Sequence, residues 1–241
     1  MSLLMYPFLE YPFVIFYSKR DPLDFNMIER MVGIPISKFI TFLPVKLRTM
    51  LQQSNDQSIQ ELESSCISSN KEVQATSRFL RFKASSVLTS LGYDWHFRFA
   101  DDSRLQSNIS SNIFSQLANE RKLYAYFSAI LHQSKCVESI WELMESLCNN
   151  FEIKGSAVRC SSLLQSWPRN VVIFSNFEIS HRSIWDSPIC KLFQEAEKSH
   201  PQRSIWGDAA VHTLCLIATL EHDQVIKFYS IYINTNCQIF Y

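Results

Sequence analysis

The residues best suited to chemistry in this chain are acids in unusual settings. Glu178 lies in the run Phe174-Ser175-Asn176-Phe177-Glu178-Ile179, an aromatic and apolar frame. Asp208 lies in Trp206-Gly207-Asp208-Ala209-Ala210-Val211-His212, which opens a long apolar stretch. A carboxylate among bulky apolar residues is costly to bury unless it is paired, hydrogen-bonded or used. An amphipathic stretch from Ser183 to Lys198 separates the two runs and could bring both acids to one cleft. A further acid pair, Asp101-Asp102, ends the alternating run that begins at Tyr93. Ligands in α/β folds gather at the carboxyl ends of strands. Paired carboxylates there offer the oxygen donors that Mn²⁺ or Mg²⁺ prefers. The same pair also suits the start of a solvated turn.

Composition narrows the classes. The 241 residues can bury one substantial core. Hydrophobic residues make up 46% and charged residues 19%, an ordinary globular balance. Basic and acidic residues each number 23, so net charge is zero and nucleic acid has no bulk electrostatic support as a partner. Seven cysteines occur without Cys-x-x-Cys spacing, which argues against zinc. Their odd number leaves at least one thiol over in any intramolecular scheme. Disulfides are possible in a secretory lumen, with the pairing left open. The apolar stretch 1–16 is interrupted by Pro7, Glu10 and Pro12, so no membrane helix or signal anchor is expected in it.

Hydrophobic patterning predicts the elements that must hold these acids. Strands are expected at Tyr11–Tyr17, Lys38–Pro44, Tyr93–Phe99, Tyr124–Leu131, Val171–Phe177 and Val225–Ile233. Those at 11–17, 38–42, 93–99 and 171–177 are expected to share one sheet. Helices are expected at Leu23–Met31, Arg78–Leu91, Ser110–Asn119, Val137–Cys148, Ser183–Lys198 and Ala209–Leu220. The stretches 51–75 and 151–167 read as loops, the first also as a weak helix. Pro188 is expected to break the start of its helix. Gly92 and Gly207 are expected at turns. Asp208 suits the cap of the last helix as well as it suits catalysis. The alternation gives an α/β class with a mixed central sheet flanked by helices. The triplet Asn108-Ile109-Ser110 is one N-glycosylation sequon.

Two of these runs resemble the fungal α-1,2-mannosyltransferases of glycosyltransferase family 15. That family carries Trp-Ser-Asn-Phe-Glu-Ile and then Arg-Trp-Gly-Asp-Ala-Pro-Val-His at a similar separation. Here the corresponding runs are Phe174–Ile179 and Ile205–His212, with Ala210 in place of the proline. Weaker likenesses extend from Tyr11 to Tyr232, including Arg81-Phe82 and the Tyr93–Asp102 run. The resemblance implies a GT-A-like fold, a single domain over 1–241, and retaining transfer of mannose from GDP-mannose to mannose residues of glycoprotein glycans. It implies Glu178 and Asp208 as catalytic residues, and Arg81, Arg98 and Trp206 at the substrates. Arg81 has a salt-bridged reading beside that one. The resemblance further implies Mn²⁺ as cofactor and a Golgi lumen location; the neighbouring acid pair, Asp101 and Asp102, is the candidate to hold the metal in this chain.

Departures accompany the likeness. Ala100 stands where the family has its metal-binding glutamate, and the run 228–236 lacks the family's histidine. No counterpart of the family's first strand precedes Tyr11, so the chain reads as a divergent and truncated member. The alternative to an enzyme is therefore a catalytically inactive relative, or an incomplete gene product, acting if at all as a binding subunit.

Overall fold

A computed structural model describes residues 12–18, 40–45, 61, 65–67, 70–99, 103–105, 112–153, 160–200, 202–228 and 233–235. The expected helix at 23–31, the sequon, Ala100, Asp101 and Asp102 lie outside them. Strands β1 (Phe13–Ser18) and β2 (Ile40–Val45) pair in parallel. Helix α1 (Lys71–Ser90) follows, with Asn70 accepting the Glu72 N–H at 2.8 Å to cap it. Gly92, at a φ of 87°, then takes the left-handed turn that leads into β3 (Trp95–Phe99).

The remaining strands are β4 (Ser103–Leu105), β5 (Tyr124–Tyr126), β6 (Ala129–Leu131), β7 (Val171–Ile173), β8 (Phe177–His181), β9 (Val225–Lys227) and β10 (Ile233–Thr235). The remaining helices are α2 (Ile113–Asn119), α3 (Ser134–Ile153), α4 (Ser162–Ser166), α5 (Pro188–Ser199) and α6 (Asp208–Thr219). The central sheet has the order β3-β8-β5-β9. Its first two pairings are antiparallel and β5-β9 is parallel, so it is mixed. One face meets Ile113 and Leu117 of α2. The larger core lies among α3, α5 and α6, where every residue of α6 from Ala210 to Ala218 is buried.

Several expectations need correction. The four strands do not share one sheet: β1 pairs with β2, and β7 pairs with β6. The predicted strand 171–177 is split by a turn at Ser175 and Asn176. It is the next segment, β8, that pairs with β3, so Glu178 lies within a strand rather than beyond one. A bend at Phe127 likewise divides 124–131. Pro188 occupies the first turn of α5, where no N–H bond is lost, and Ser187 caps it. Helix α4 interrupts the loop expected over 151–167. Gly207 has a φ of −74°, open to any residue, so its turn does not depend on glycine.

Three disulfides form: Cys66–Cys136, Cys148–Cys160 and Cys190–Cys215. Their Cα separations of 5.4, 5.7 and 5.1 Å suit such bonds. The first ties the segment ahead of α1 to the start of α3, across 70 residues.

Candidate active site

The site grows from the alternation of β8. Phe177 and Ile179 face the α2 side, and Phe177 packs edge-on against Phe97 and Phe127. Glu178 and Ser180 point to the opposite face, where Glu178 meets His212 of α6. Because β8 is central, Glu178 has a neighbour on each side: it registers with Arg98 of β3 and with Tyr126 of β5.

Glu178 is 3% exposed and its carboxylate is surrounded by donors. Tyr124 Oη donates to Oε2 at 2.6 Å. His212 Nδ1 stands 2.8 Å from Oε1, and Arg98 Nη1 stands 3.9 Å from the same oxygen. Arg98 Nη1 also lies 2.7 Å from Asp208 Oδ2, a close ionic contact whose N–H vectors are poorly aligned for a hydrogen bond. Asp208 is not the cap of α6; Gly207 holds that position and makes no side-chain bond. The Asp208 carboxylate turns to the network, accepting from Ser77 at 2.9 Å and from Ser175 at 3.0 Å. Its backbone N–H donates to Ser77 Oγ at 3.0 Å. Arg98 thus joins the two acids that the sequence singles out.

The charges set one another's titration. Burial alone would raise the Glu178 and Asp208 carboxyls. For Glu178 the His212 ring, Arg98 and the Tyr124 hydroxyl outweigh it, and the group titrates below its usual range. For Asp208, Arg98, His212 and Ser77 prevail, and its pKa falls to about 2. Burial opposes a charged His212, but Glu178 more than compensates and raises it. Burial and the Glu178 charge together push the Tyr124 hydroxyl well up, so it remains a donor.

Two further expected site residues are engaged in contacts within the chain. Arg81 is 3% exposed, and its guanidinium pairs with Glu197 at 2.6 Å and donates to the Arg203 carbonyl at 2.9 Å. Trp206 is fully enclosed beside Phe193 and His200, with its indole N–H donating to Ser139 at 3.0 Å. Tyr124, Ser77 and Ser175 were not expected at the site. Helix α1 did carry a signal for its share. Gln74, Ser77, Arg81 and Ser85 recur at helical spacing and form a buried polar stripe. His212 also had one, lying one turn beyond Asp208 on the same helix.

Among the described residues, no group of three or more His, Cys, Asp or Glu could hold a metal ion. Glu178 and Asp208 do not fit that task, since the lone pairs they direct inward already meet cations and hydroxyls. Also among the described residues, no helix is long and apolar enough to cross a membrane.

Comparison with known proteins places this architecture. The chain superposes on Ktr4p, a mannosyltransferase from S. cerevisiae solved in complex with GDP, with a TM-score of 0.72 at 16% identity. That match covers 94% of this chain and 63% of the other. Core-mannan synthase A (CmsA/Ktr4) from Aspergillus fumigatus, in its Mn/GDP form, gives 0.69 at 13% identity, covering 93% and 65%. The fold is thus the GT-A-like arrangement of these transferases. The profile of the glycolipid 2-alpha-mannosyltransferases, glycosyltransferase family 15, matches residues 46–238, and the chain belongs to that family. The glycolipid 2-alpha-mannosyltransferase of Saccharomyces cerevisiae is 24% identical over 142 residues, or 56% of this chain and 32% of its own length. Alpha-1,2 mannosyltransferase KTR1 of the same yeast is 24% identical over 148 residues, 56% of this chain and 36% of its length. The chain spans about a third of these curated relatives.

Proposed function

We propose that residues 1–241 form one mannosyl-transfer domain of the retaining α-1,2 type, moving mannose from GDP-mannose to a mannose residue of a glycoprotein glycan. The observation that carries this reading is Glu178, kept charged at the centre of the sheet by Tyr124, His212 and Arg98. Departure of a diphosphate leaves positive charge on the anomeric carbon. A preorganised carboxylate in a dry site stabilises that charge more than water would. Glu178 is the group assigned to it, as nucleophile or as front-side stabiliser. The bond from the anomeric carbon to the diphosphate oxygen breaks, the acceptor hydroxyl forms the new glycosidic bond, and its proton leaves with the products.

Asp208 and Arg98 are the more open members of the cluster, at 17% and 18% exposed. They are assigned to the substrate side, with Asp208 at the acceptor hydroxyl. Arg98 is already neutralised by carboxylates, so the diphosphate needs other cations. The Mn²⁺ form of the Aspergillus relative supports a divalent ion in that role, which we assign to Asp101 and Asp102. Three disulfides support an oxidising compartment, and the Golgi lumen is the proposed location.

One observation favours a second reading. Glu178 is nearly sealed and each of its oxygens already has a partner. A non-catalytic binding subunit with a purely structural carboxylate would have the same arrangement. Incubation with GDP-mannose, Mn²⁺ and an α-mannoside acceptor separates the two. Formation of an α-1,2-linked disaccharide supports the transferase. Absence of product, together with no GDP binding by calorimetry, supports the binding subunit.

A further inference from the structure

We infer that His212 carries the proton it shares with Glu178, and thereby positions that residue as a charged carboxylate, with the Leu80 and Arg81 carbonyls as its anchor. His212 Nε2 lies 2.9 Å from the Leu80 oxygen and 2.9 Å from the Arg81 oxygen. Carbonyl oxygens only accept, so Nε2 must bear a hydrogen. The tautomer is fixed by α1, and only Nδ1 is left to titrate. Nδ1 meets Glu178 Oε1 at 2.8 Å, so one proton lies between them. Either an imidazolium faces a carboxylate or a neutral ring faces a carboxylic acid.

The surroundings favour the ion pair. Tyr124 Oη, from β5, already donates to Oε2, and Arg98, from β3, lies 3.9 Å from Oε1; both stabilise the carboxylate. The Trp185 ring lies 4.6 Å from the His212 ring, within the range at which an aromatic face attracts a cation. Asp208, one turn away on α6, adds a second negative charge. Arg98 opposes a charged His212. Arg81, from α1, and His96, from β3, are the other titratable groups nearby; burial lowers the pKa of each, while Asp208 opposes that for Arg81 and Glu178 opposes it for His96. The shifts of both partners agree in direction with proton residence on His212. With both nitrogens engaged, His212 has none to offer a metal.

The positioning role rests on Glu178 being the reacting carboxylate; the location of the proton does not. The test is NMR on the full chain, with ¹⁵N-labelled histidine and ¹³C-carboxyl-labelled glutamate, Glu178→Gln serving to assign the signal. At pH 7 both His212 nitrogens should be protonated and Glu178 ionised. His212→Asn retains a donor but no charge. It should raise the Glu178 midpoint by about one unit or more, a tenfold or greater gain in proton affinity. The acid limb of transfer should move up with it, which loss of packing alone would not cause. A neutral His212 ring facing a protonated Glu178 would overturn the inference, as would an unmoved midpoint in folded His212→Asn. If that variant does not fold, the wild-type spectrum still decides where the proton resides. If no variant transfers mannose, the transferase reading fails while the spectra still answer the question about His212.

Discussion

The two faces of β8 are equally buried and held by opposite means. Ile179 is fully enclosed on one face, among Ala125, Ile113 and Leu117. Glu178, its neighbour in sequence, is 3% exposed on the other, among Arg98, Tyr124 and His212. Apolar burial contributes roughly 25 cal/mol per Å² with little geometric demand. A buried ion pair must first offset desolvation, and apolar replacements of the same volume are often as stable. The polar face is thus a poor means of gaining stability. Its cost is intelligible if a charged carboxylate is needed for chemistry.

The largest expected effect comes from breaking the polar face at its hub. Arg98→Met leaves Asp208 and Glu178 without their shared guanidinium and should cost about 3–5 kcal/mol in urea denaturation. A loss below about 1 kcal/mol would mean that the carboxylates are solvated. Ile179→Ala damages the opposite face and should cost about 2–5 kcal/mol. Transfer per folded molecule should nevertheless survive, which distinguishes a packing residue from the network beside it. Tyr124→Phe removes one bond to a charged group, at about 1.5–3 kcal/mol. It should also raise the Glu178 midpoint, since a donor to the charged form is lost.

The pH dependence sharpens the contrast, because only the polar face titrates. Glu178 and Asp208 have folded pKa values below their ordinary 4.5 and 3.8. Their stabilisation is therefore present above those values and lost as pH falls, for Asp208 toward about 2. His212 is raised above 6.5, so its contribution is complete below 6.5 and lost as pH rises through its folded value. Thermal stability should therefore peak between about pH 4.5 and 6.5. In Ile179→Ala the same profile should appear, displaced downward. A profile flat from pH 3 to 9 would contradict the buried network.

The contrast also bears on what was legible in the sequence. Local patterns revealed the stripe of α3, the alternation of β3 and two acids in apolar frames, because those signals lie within a few residues. The partners of the acids did not appear that way. Tyr124 lies 54 residues from Glu178, and Ser77 lies 131 from Asp208, so only tertiary packing joins them. For Arg81 and Trp206 the limit is related: their place in a motif did not reveal the burial that Glu197 and Ser139 complete. The cysteine pairing was equally non-local. Alkylation before and after reduction should find six of the seven cysteines protected.

The central claim is that Glu178 carries the transfer chemistry. It is tested most directly by the rate of mannose transfer from GDP-mannose in Glu178→Gln, expressed per folded molecule. The amide keeps the shape of the side chain but not its charge. Transfer should fall by about 10²-fold or more, the usual consequence of losing a charge-stabilising group. A Glu178→Gln variant that transfers mannose at the wild-type rate would contradict it.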